Sequence, residues 1–282
     1  MTVKTAPGYR PGRTLPLRVE FVRQFLRRRT LLMFGLLLLL PWILAVAFMV
    51  GRPSQGNRAP NLSDLATASA LNFTAFTLFV SVGFLLVVAV AMFCGDTVAS
   101  EANWSSLRYL LAAPVPRGRL LRQKLVVALT YSAAAIVILP LMALLVGTVM
   151  FGWDDIQLPG TGQTLGAADV LPRFGIVIAY AMISQLVVAG LAFYLSVTTD
   201  SPLGAVGGAV GLVIISNIVE AVEALGVWRE VLPTYWAMAW LDVIQLEISW
   251  AGMIKGSAVS VSYAVIFIAL AFRRFRTKDV VS

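Results

Sequence analysis

The charged groups whose spacing could support a function lie together in one short segment, residues 95–124. Leu107, Leu110 and Leu111 fall on one face of a short helix, with Glu101 and Arg108 on its polar side. The segment then reaches Pro114-Val115-Pro116, where the second proline can begin a new helix. This pattern favours docking to another protein over acid–base chemistry. The alternative is a positively charged loop that only sets membrane orientation.

Several reaction classes are excluded by composition. The 282 residues include no histidine, and Cys94 is the single cysteine. Histidine-based catalysis, a zinc cluster and a disulfide within the chain are therefore unavailable. No Gly-Lys-Ser or Gly-Lys-Thr occurs, so the chain lacks a phosphate-binding P-loop. We predict that it is not an enzyme and binds no metal or cofactor itself.

Six charge-free runs predict the class of protein. The hydrophobic share is 59% and the charged share 13%, against roughly 45–50% and 25% in soluble domains. A hydrocarbon core of about 30 Å needs about 20 apolar residues in a helix. The sequence therefore predicts a single all-α membrane domain over residues 1–282, preceded by a flexible tail at 1–14. The predicted spans are 31–50, 73–94, 125–151, 174–198, 203–219 and 256–272.

The basic residues predict the orientation of these spans. With the amino terminus inside, 17 of the 22 Lys and Arg residues are cytoplasmic, so both termini are expected in the cytoplasm. This asymmetry and anionic lipid account for the net charge of +8 without a nucleic-acid partner. Ala45-Val46-Ala47 resembles a signal-peptide cleavage site, but the apolar run continues beyond it and favours a retained helix.

Three segments outside the spans have patterns of their own. Residues 15–29 place Leu15, Val19, Val22 and Leu26 on one side, which predicts an amphipathic helix on the inner membrane surface. The alternative is a charged extension of the first span. The aromatic segment 220–255 predicts a re-entrant outer hairpin between spans five and six. Residues 152–172, rich in glycine, predict an irregular loop.

Polar positions inside the spans are uncharged. Proton-coupled carriers place ionisable groups at membrane depth, so their absence argues against such a carrier and against a carboxylate protease. Candidate residues of a translocation path are Thr74, Thr77, Ser81, Gln185 and Asn217. The alternative is that hydroxyls bond preceding carbonyls and amides bridge helices. Small-residue pairs in span five predict close helix packing, within the chain or between subunits, at Gly204, Gly207, Gly208 and Gly211.

The segment 95–124 resembles the cytoplasmic loop of type-2 ABC transporter permeases. In that pattern a helix-ending glycine (Gly95) precedes a glutamate (Glu101) and a leucine-arginine pair with further leucines (Leu107, Arg108, Leu110, Leu111). Pro114, Arg117 and a lysine that opens the third span, Lys124, complete it. The stretch Asn103-Trp104-Ser105-Ser106 departs from the glycine-threonine that is commoner there. The resemblance covers about thirty residues closely and the six-span layout coarsely.

The resemblance implies a partner set. Such a permease pairs with a second permease copy, identical or not, and with two separate ATPase subunits that bind ATP and Mg. The loop would carry a coupling helix involving Glu101, Arg108, Leu110, Leu111, Pro114 and Arg117. Most bacterial members are exporters of the cytoplasmic (inner) membrane. Two alternatives are a non-transport assembly factor or sensor whose outer hairpin binds a ligand, and an intramembrane enzyme, for which a catalytic base is hard to find.

Overall fold

The apolar runs fold as helices, since a helix satisfies the backbone hydrogen bonds of a segment internally. The computed structural model describes residues 17–51, 62–103, 116–158 and 163–277. Their helices are α1 Leu17–Phe25, α2 Arg28–Val50, α3 Leu62–Ala66, α4 Ala70–Val82, α5 Leu85–Asn103, α6 Arg117–Phe151, α7 Ala167–Ser184, α8 Leu186–Thr198, α9 Pro202–Glu220, α10 Leu241–Ile244 and α11 Ala251–Thr277. A 3-10 helix covers Glu223–Val231, and strands β1 Ile156–Gln157 and β2 Thr164–Leu165 pair antiparallel.

Six helical segments are long and apolar enough to cross a membrane, which confirms the predicted class, an all-α membrane protein. They are Arg28–Val50, Leu85–Asn103, Arg117–Phe151, Ala167–Thr198, Pro202–Glu220 and Ala251–Thr277. The flexible tail predicted at 1–14 lies outside the described residues. Pro41 and Pro140 lie inside α2 and α6, and Pro116 is the residue that precedes α6.

Two predicted spans each contain a short local irregularity at which the backbone nevertheless stays in the right-handed helical region. The span predicted at 73–94 consists of α4 and α5, interrupted at Gly83 and Phe84. The span predicted at 174–198 consists of α7 and α8, interrupted at Gln185. Gly95 does not end a helix, contrary to the expected pattern, because α5 continues to Asn103. The charged residues of this extension can remain helical because basic side chains from other elements pair with them.

The helix ends form two groups at opposite ends of the bundle. At one end, which we call the arginine end, Arg27 pairs with Asp96, and the Arg117 Nη1 donates to the Arg276 carbonyl at 3.2 Å. At the other, the hairpin end, Asn72 bonds the backbone of Gln157. The elements predicted to be cytoplasmic therefore share one end, and those predicted to be external share the other.

The expectation of an irregular loop at 152–172 was wrong in part. The β1–β2 ladder lies within it, and α7 already begins at Ala167. The side chain of Asn72 orders this ladder: its Nδ2 donates to the Gln157 carbonyl at 2.8 Å, and its Oδ1 accepts from the Gln157 N–H at 2.9 Å. The buried Asn72 amide thus satisfies the backbone groups of Gln157 that a further strand would otherwise pair.

The aromatic segment after α9 folds back against the bundle, although only part of it is helical. It consists of the 3-10 helix, a series of turns and α10. Trp240 is fully buried, and the Tyr180 hydroxyl of α7 donates to the Trp236 carbonyl at 2.5 Å. Gly226 inside the 3-10 helix has φ +51°, a value that favours glycine. The segment therefore reaches the level of residue 180, well inside α7.

Helix α5 lies at the centre of the bundle, between α6, α8 and α9. Its closest approach is at Gly95, where a Cβ atom would lie 3.0 Å from the Val206 Cγ2 and 3.3 Å from the Val206 nitrogen of α9. The Ser196 hydroxyl of α8 accepts from the N–H groups of Val98 and Ala99, both at 3.0 Å. Three helices are thus joined at the arginine end of α5.

Candidate functional site

The first candidate site is a buried ion cluster at the arginine end. The Lys124 Nζ of α6 lies 2.6 Å from the Glu101 Oε1 of α5 and 3.0 Å from the Glu20 Oε1 of α1. Arg23 of α1 contacts the same Glu101 oxygen. The Lys124 and Glu101 side chains are 2% and 1% exposed. One lysine therefore joins α1 to the last turn of α5 and the first turns of α6.

Glu20 is part of this cluster, and its pKa reflects the charges that surround it. Burial alone would raise the pKa of its carboxyl, but the facing Lys124 ammonium, with Arg23 and Arg27, holds that pKa below the ordinary value of 4.5. Glu20 is therefore ionised at neutral pH and completes the pairing of the buried lysine.

A second ion cluster joins the start of α2 to α5. The Arg27 Nη1 lies 2.7 Å from the Asp96 Oδ2, and the Arg29 Nη1 lies 2.7 Å from the Asp96 Oδ1. Arg27 also donates to the Ser100 hydroxyl at 3.0 Å. Asp96 lies one and a half turns before Glu101, so the two clusters fix α1 and α2 to consecutive turns of one helix.

Helix α1 is oriented with its polar side towards the protein. Gln24 is buried and Glu20 faces the ion cluster, whereas Val19, Val22 and Leu26 are 57%, 51% and 66% exposed. In water such an arrangement would leave an apolar stripe unpartnered. The structure has the predicted amphipathic helix at 17–25, shorter than the expected 15–29, and its apolar face points away from the bundle.

The predicted coupling residues divide into two groups. Glu101 and Arg117 are described: Glu101 is buried in the ion cluster, whereas Arg117 is exposed and bonds the end of α11. The expectation that Glu101 lies on the polar side of a separate docking helix was wrong, because it belongs to α5 and points inward. Arg108, Leu110, Leu111 and Pro114 lie outside the described residues.

The second candidate site is a cavity of about 470 Å³ between the two irregular spans, α9, α11 and the folded-back segment. Its walls include Val82 and Gly83 at one irregularity and Ser184 and Gln185 at the other. Gln185 links the two irregularities, since its Nε2 donates to the Val82 carbonyl at 3.0 Å.

Polar groups continue around the cavity on α9 and the folded-back segment. The hydroxyls of Ser216 and Thr234 are 2.8 Å apart, and the Thr234 hydroxyl donates to the Glu220 Oε2 at 2.8 Å. Ser216 is therefore the donor to Thr234. Asn217 also lines the cavity and is exposed at its rim. These bonds fasten the folded-back segment to the last turn of α9.

The predicted path residues are not all brought together. Gln185 and Asn217 line the cavity, but the predicted polar face of α4 does not. Thr74 donates to the Ala70 carbonyl at 2.9 Å, as the alternative interpretation expected. Thr77 and Ser81 are buried, and their hydroxyls have no partner among the described residues. Their face of α4 packs inside the bundle instead.

The four glycines of α9 differ in how closely other atoms approach them. A Cβ at Gly208 would lie 3.1 Å from the Leu195 Cδ1 of α8, so this glycine permits packing within the chain. Gly204 faces only Thr199 and Ser201, near its own helix start, and Gly207 and Gly211 have no neighbouring atom within 4 Å. Helix α9 also lies close to Gly95 of α5 at Val206, an approach that the pattern of span five could not indicate.

Comparisons with known proteins place the chain in a family. The family described as "Protein of unknown function (DUF2705)" matches residues 42–281. The chain is also 26% identical over 228 residues to "Uncharacterized protein YhcI" of Bacillus subtilis (strain 168), a match that covers 74% of this chain and 66% of that relative. The chain thus spans slightly less than two thirds of the relative's length.

Proposed function

This chain belongs to the DUF2705 family, and we propose that it is the permease subunit of an ATP-driven ABC exporter. The observation that carries the proposal is the Lys124 cluster, which ties both ends of the segment 104–115 to α1. That segment contains most of the residues that resemble a type-2 ABC permease loop. A force applied to it by a partner would reach α5, α6 and α1 together.

In this proposal the protein lies in the cytoplasmic membrane of a bacterium. The arginine end and both termini face the cytoplasm. The exposed apolar face of α1 supports its placement on the inner membrane surface. The segment 104–115, the part of the permease-like loop that lies outside the described residues, would contact an ATPase subunit that binds ATP and Mg. Two such subunits and a second permease copy complete the transporter.

The cavity is the proposed substrate site. It lies between helices of the bundle, a place where ligand sites commonly occur. The folded-back segment forms part of its wall and acts as the re-entrant outer hairpin. Substrate binding in the cavity would be coupled to nucleotide binding by the ATPase at the arginine end through α5. One end of α5 lines the cavity, and the other end belongs to the ion cluster.

Purification from the native host tests the proposal. A tagged full-length chain, solubilised in mild detergent, should retain an ABC ATPase subunit in equal amount. Within that complex, Glu101→Gln should reduce substrate-stimulated ATP hydrolysis several-fold, because the carboxylate that holds Lys124 is removed. The matched control is Arg122→Gln, an exposed arginine on α6 with no role in the cluster. Absence of an ATPase, or equal stimulation in both variants, would reject the proposal.

The cavity wall favours one alternative function, a membrane sensor whose outer hairpin binds a ligand. Leu232, Pro233, Thr234 and Ala237 of the folded-back segment line the cavity, as a sensor would require. A sensor predicts that ligand affinity is independent of nucleotide. A permease predicts that affinity changes when the ATPase binds ATP.

A further inference from the structure

The chemistry of the cavity wall restricts what can bind there, and this inference rests on the proposed function of the cavity as a substrate site. Among the described residues that line it, none carries a charge. A charged group without a counter-charge in such a site would lose its hydration without compensation. The Glu220 carboxylate accepts from Thr234 behind the wall but does not line the cavity. The wall therefore repels anions and offers a cation no direct counter-charge.

The polar groups of the wall lie at one level of the bundle. A short turn at residues 199–201 joins α8 to α9, and the two helices run antiparallel away from it. Gln185 lies 15 residues before Asp200 in this turn, and Ser216 lies 15 residues after Ser201. At about 1.5 Å per residue, both side chains therefore lie about 22 Å from the turn. Ser184 and Thr234 lie beside them, and the Gln185 amide is already held by the Val82 carbonyl. A polar band thus surrounds the end of the cavity nearer the hairpin end.

The remaining wall is apolar and aromatic. Leu191 and Leu195 lie one and a half to three turns below Gln185 on α8, and Leu212 lies one turn below Ser216 on α9. The rings of Tyr194 and Phe267 face each other there, with centroids 6.3 Å apart. The cavity therefore changes along its length from a hydrogen-bonding end to an apolar end.

The cavity reaches the outer face of the bundle beside α9. Ile215, which lines it, is 55% exposed, and Leu212 is 47% exposed. A molecule dissolved in the surrounding lipid could enter there without passing a charged side chain of the described wall. The volume of about 470 Å³ is within the range of small-molecule sites.

We propose that this cavity binds an uncharged amphiphile, with its hydrogen-bonding head at Ser216 and Thr234 and its apolar body against Leu195 and Phe267. The head exchanges hydrogen bonds with the hydroxyl pair that fastens the folded-back segment to α9. Occupancy of the site therefore acts on the segment that covers it.

Direct binding tests this assignment on the full-length chain in nanodiscs, without an ATPase. The probes are 1-oleoylglycerol, its anionic analogue 1-oleoylglycerol-3-phosphate and cationic oleylamine, each compared with protein-free nanodiscs. We expect saturable binding of 1-oleoylglycerol, at least tenfold tighter than that of either charged probe. Equal or tighter binding of a charged probe, or no saturable binding of the neutral one, would overturn the assignment.

Variants locate the binding. Thr234→Val removes the hydroxyl and should weaken 1-oleoylglycerol binding at least fivefold, and Ala237→Leu fills the cavity and should abolish it. Ser262→Ala, on the exposed side of α11 and outside the cavity, should bind as the wild type does. Unchanged binding in Ala237→Leu that keeps the wild-type melting temperature would overturn the site. If an ATPase co-purifies but the neutral probe does not bind, this inference alone fails. If the probe binds as expected but no ATPase co-purifies, the exporter proposal fails and the site remains.

Discussion

Lys124 and Glu101 form a buried ion pair of 2.6 Å between the beginning of α6 and the end of α5. They flank the segment 104–115 in sequence, and each residue also reaches α1, through Glu20 and Arg23. A buried charge is costly unless it is paired, so the four residues hold three helices in one arrangement. Glu101 and Lys124, two residues of the sequence pattern, thus contact each other directly.

Loss of the lysine should destabilise the protein. Lys124→Met removes the buried cation from Glu20 and Glu101 and leaves Arg23, which contacts both carboxylates. We therefore expect a loss smaller than the about 3–5 kcal/mol of a fully broken buried pair. The measurement is thermal or denaturant unfolding in detergent. Arg122→Met on the same helix is exposed and serves as the control, with little change expected.

A double variant separates charge from packing. The double variant Glu101→Gln/Lys124→Met should be more stable than Lys124→Met alone, because the Glu101 charge is removed together with the lysine that faces it. A double variant whose loss equals the sum of the two single losses would contradict the assigned pairing.

The presence of this cluster could not be predicted from the sequence, although its members could be noticed. Glu101 was singled out by the local pattern, and Lys124 by its place before the third span. Their partners Glu20 and Arg23 are about 100 residues away from Lys124, a separation over which local patterns carry no information. The expectation that Glu101 lies on the polar side of a short docking helix failed for this reason.

Five of the six predicted spans overlap closely with candidate spans because each is a long apolar run. The second, predicted at 73–94, is found at Leu85–Asn103, preceded by the shorter apolar helix α4. The irregularities at Gly83 and Gln185 could not be predicted. Neither Gly83 nor Gln185 breaks a helix by type alone, since both residues occur inside helices. What stabilises the irregularities is tertiary: the Gln185 amide bonds the Val82 carbonyl beside the other one. Likewise, Asn217 and Gln185 were predicted for the path, but Thr234, which completes the polar band, belongs to a segment recognised only as aromatic.

Gly95 should be far more sensitive to substitution than a glycine on an open helix face. A methyl group there would meet Val206 of α9, side chain and backbone alike, so Gly95→Ala should cost about 1–3 kcal/mol. Gly175→Ala in α7 adds its methyl group where no atom lies within 4 Å and should be neutral or stabilising. Comparison of the two melting temperatures checks the α5–α9 contact, and equal effects would contradict it.

The pH dependence of stability should reveal Glu20. Since its folded-state pKa lies below 4.5, its contribution is fully present above the unfolded value near 4.5. The contribution is lost as the pH falls through the lower, folded-state pKa. The melting temperature of the wild type should therefore exceed that of Glu20→Gln from pH 7 to pH 4.5, and the difference should close only below that.

Glu223→Gln, at the exposed start of the 3-10 helix, provides the comparison for the pH series. It should follow the wild type throughout. A difference between wild type and Glu20→Gln that closes well above pH 4.5 would show that Glu20 is not held in its ionised form by Lys124.

Site-specific photocrosslinking in the native host tests the central claim most directly. A photoreactive residue is placed at Leu110 in the segment 104–115, at Arg117 at the arginine end, or at Trp228 near the hairpin end. The captured proteins are identified by mass spectrometry. We predict that an ABC ATPase subunit is captured from Leu110 and Arg117 and not from Trp228. Capture of the ATPase from Trp228, or from none of the three positions while the protein is fully functional, would contradict a coupled permease.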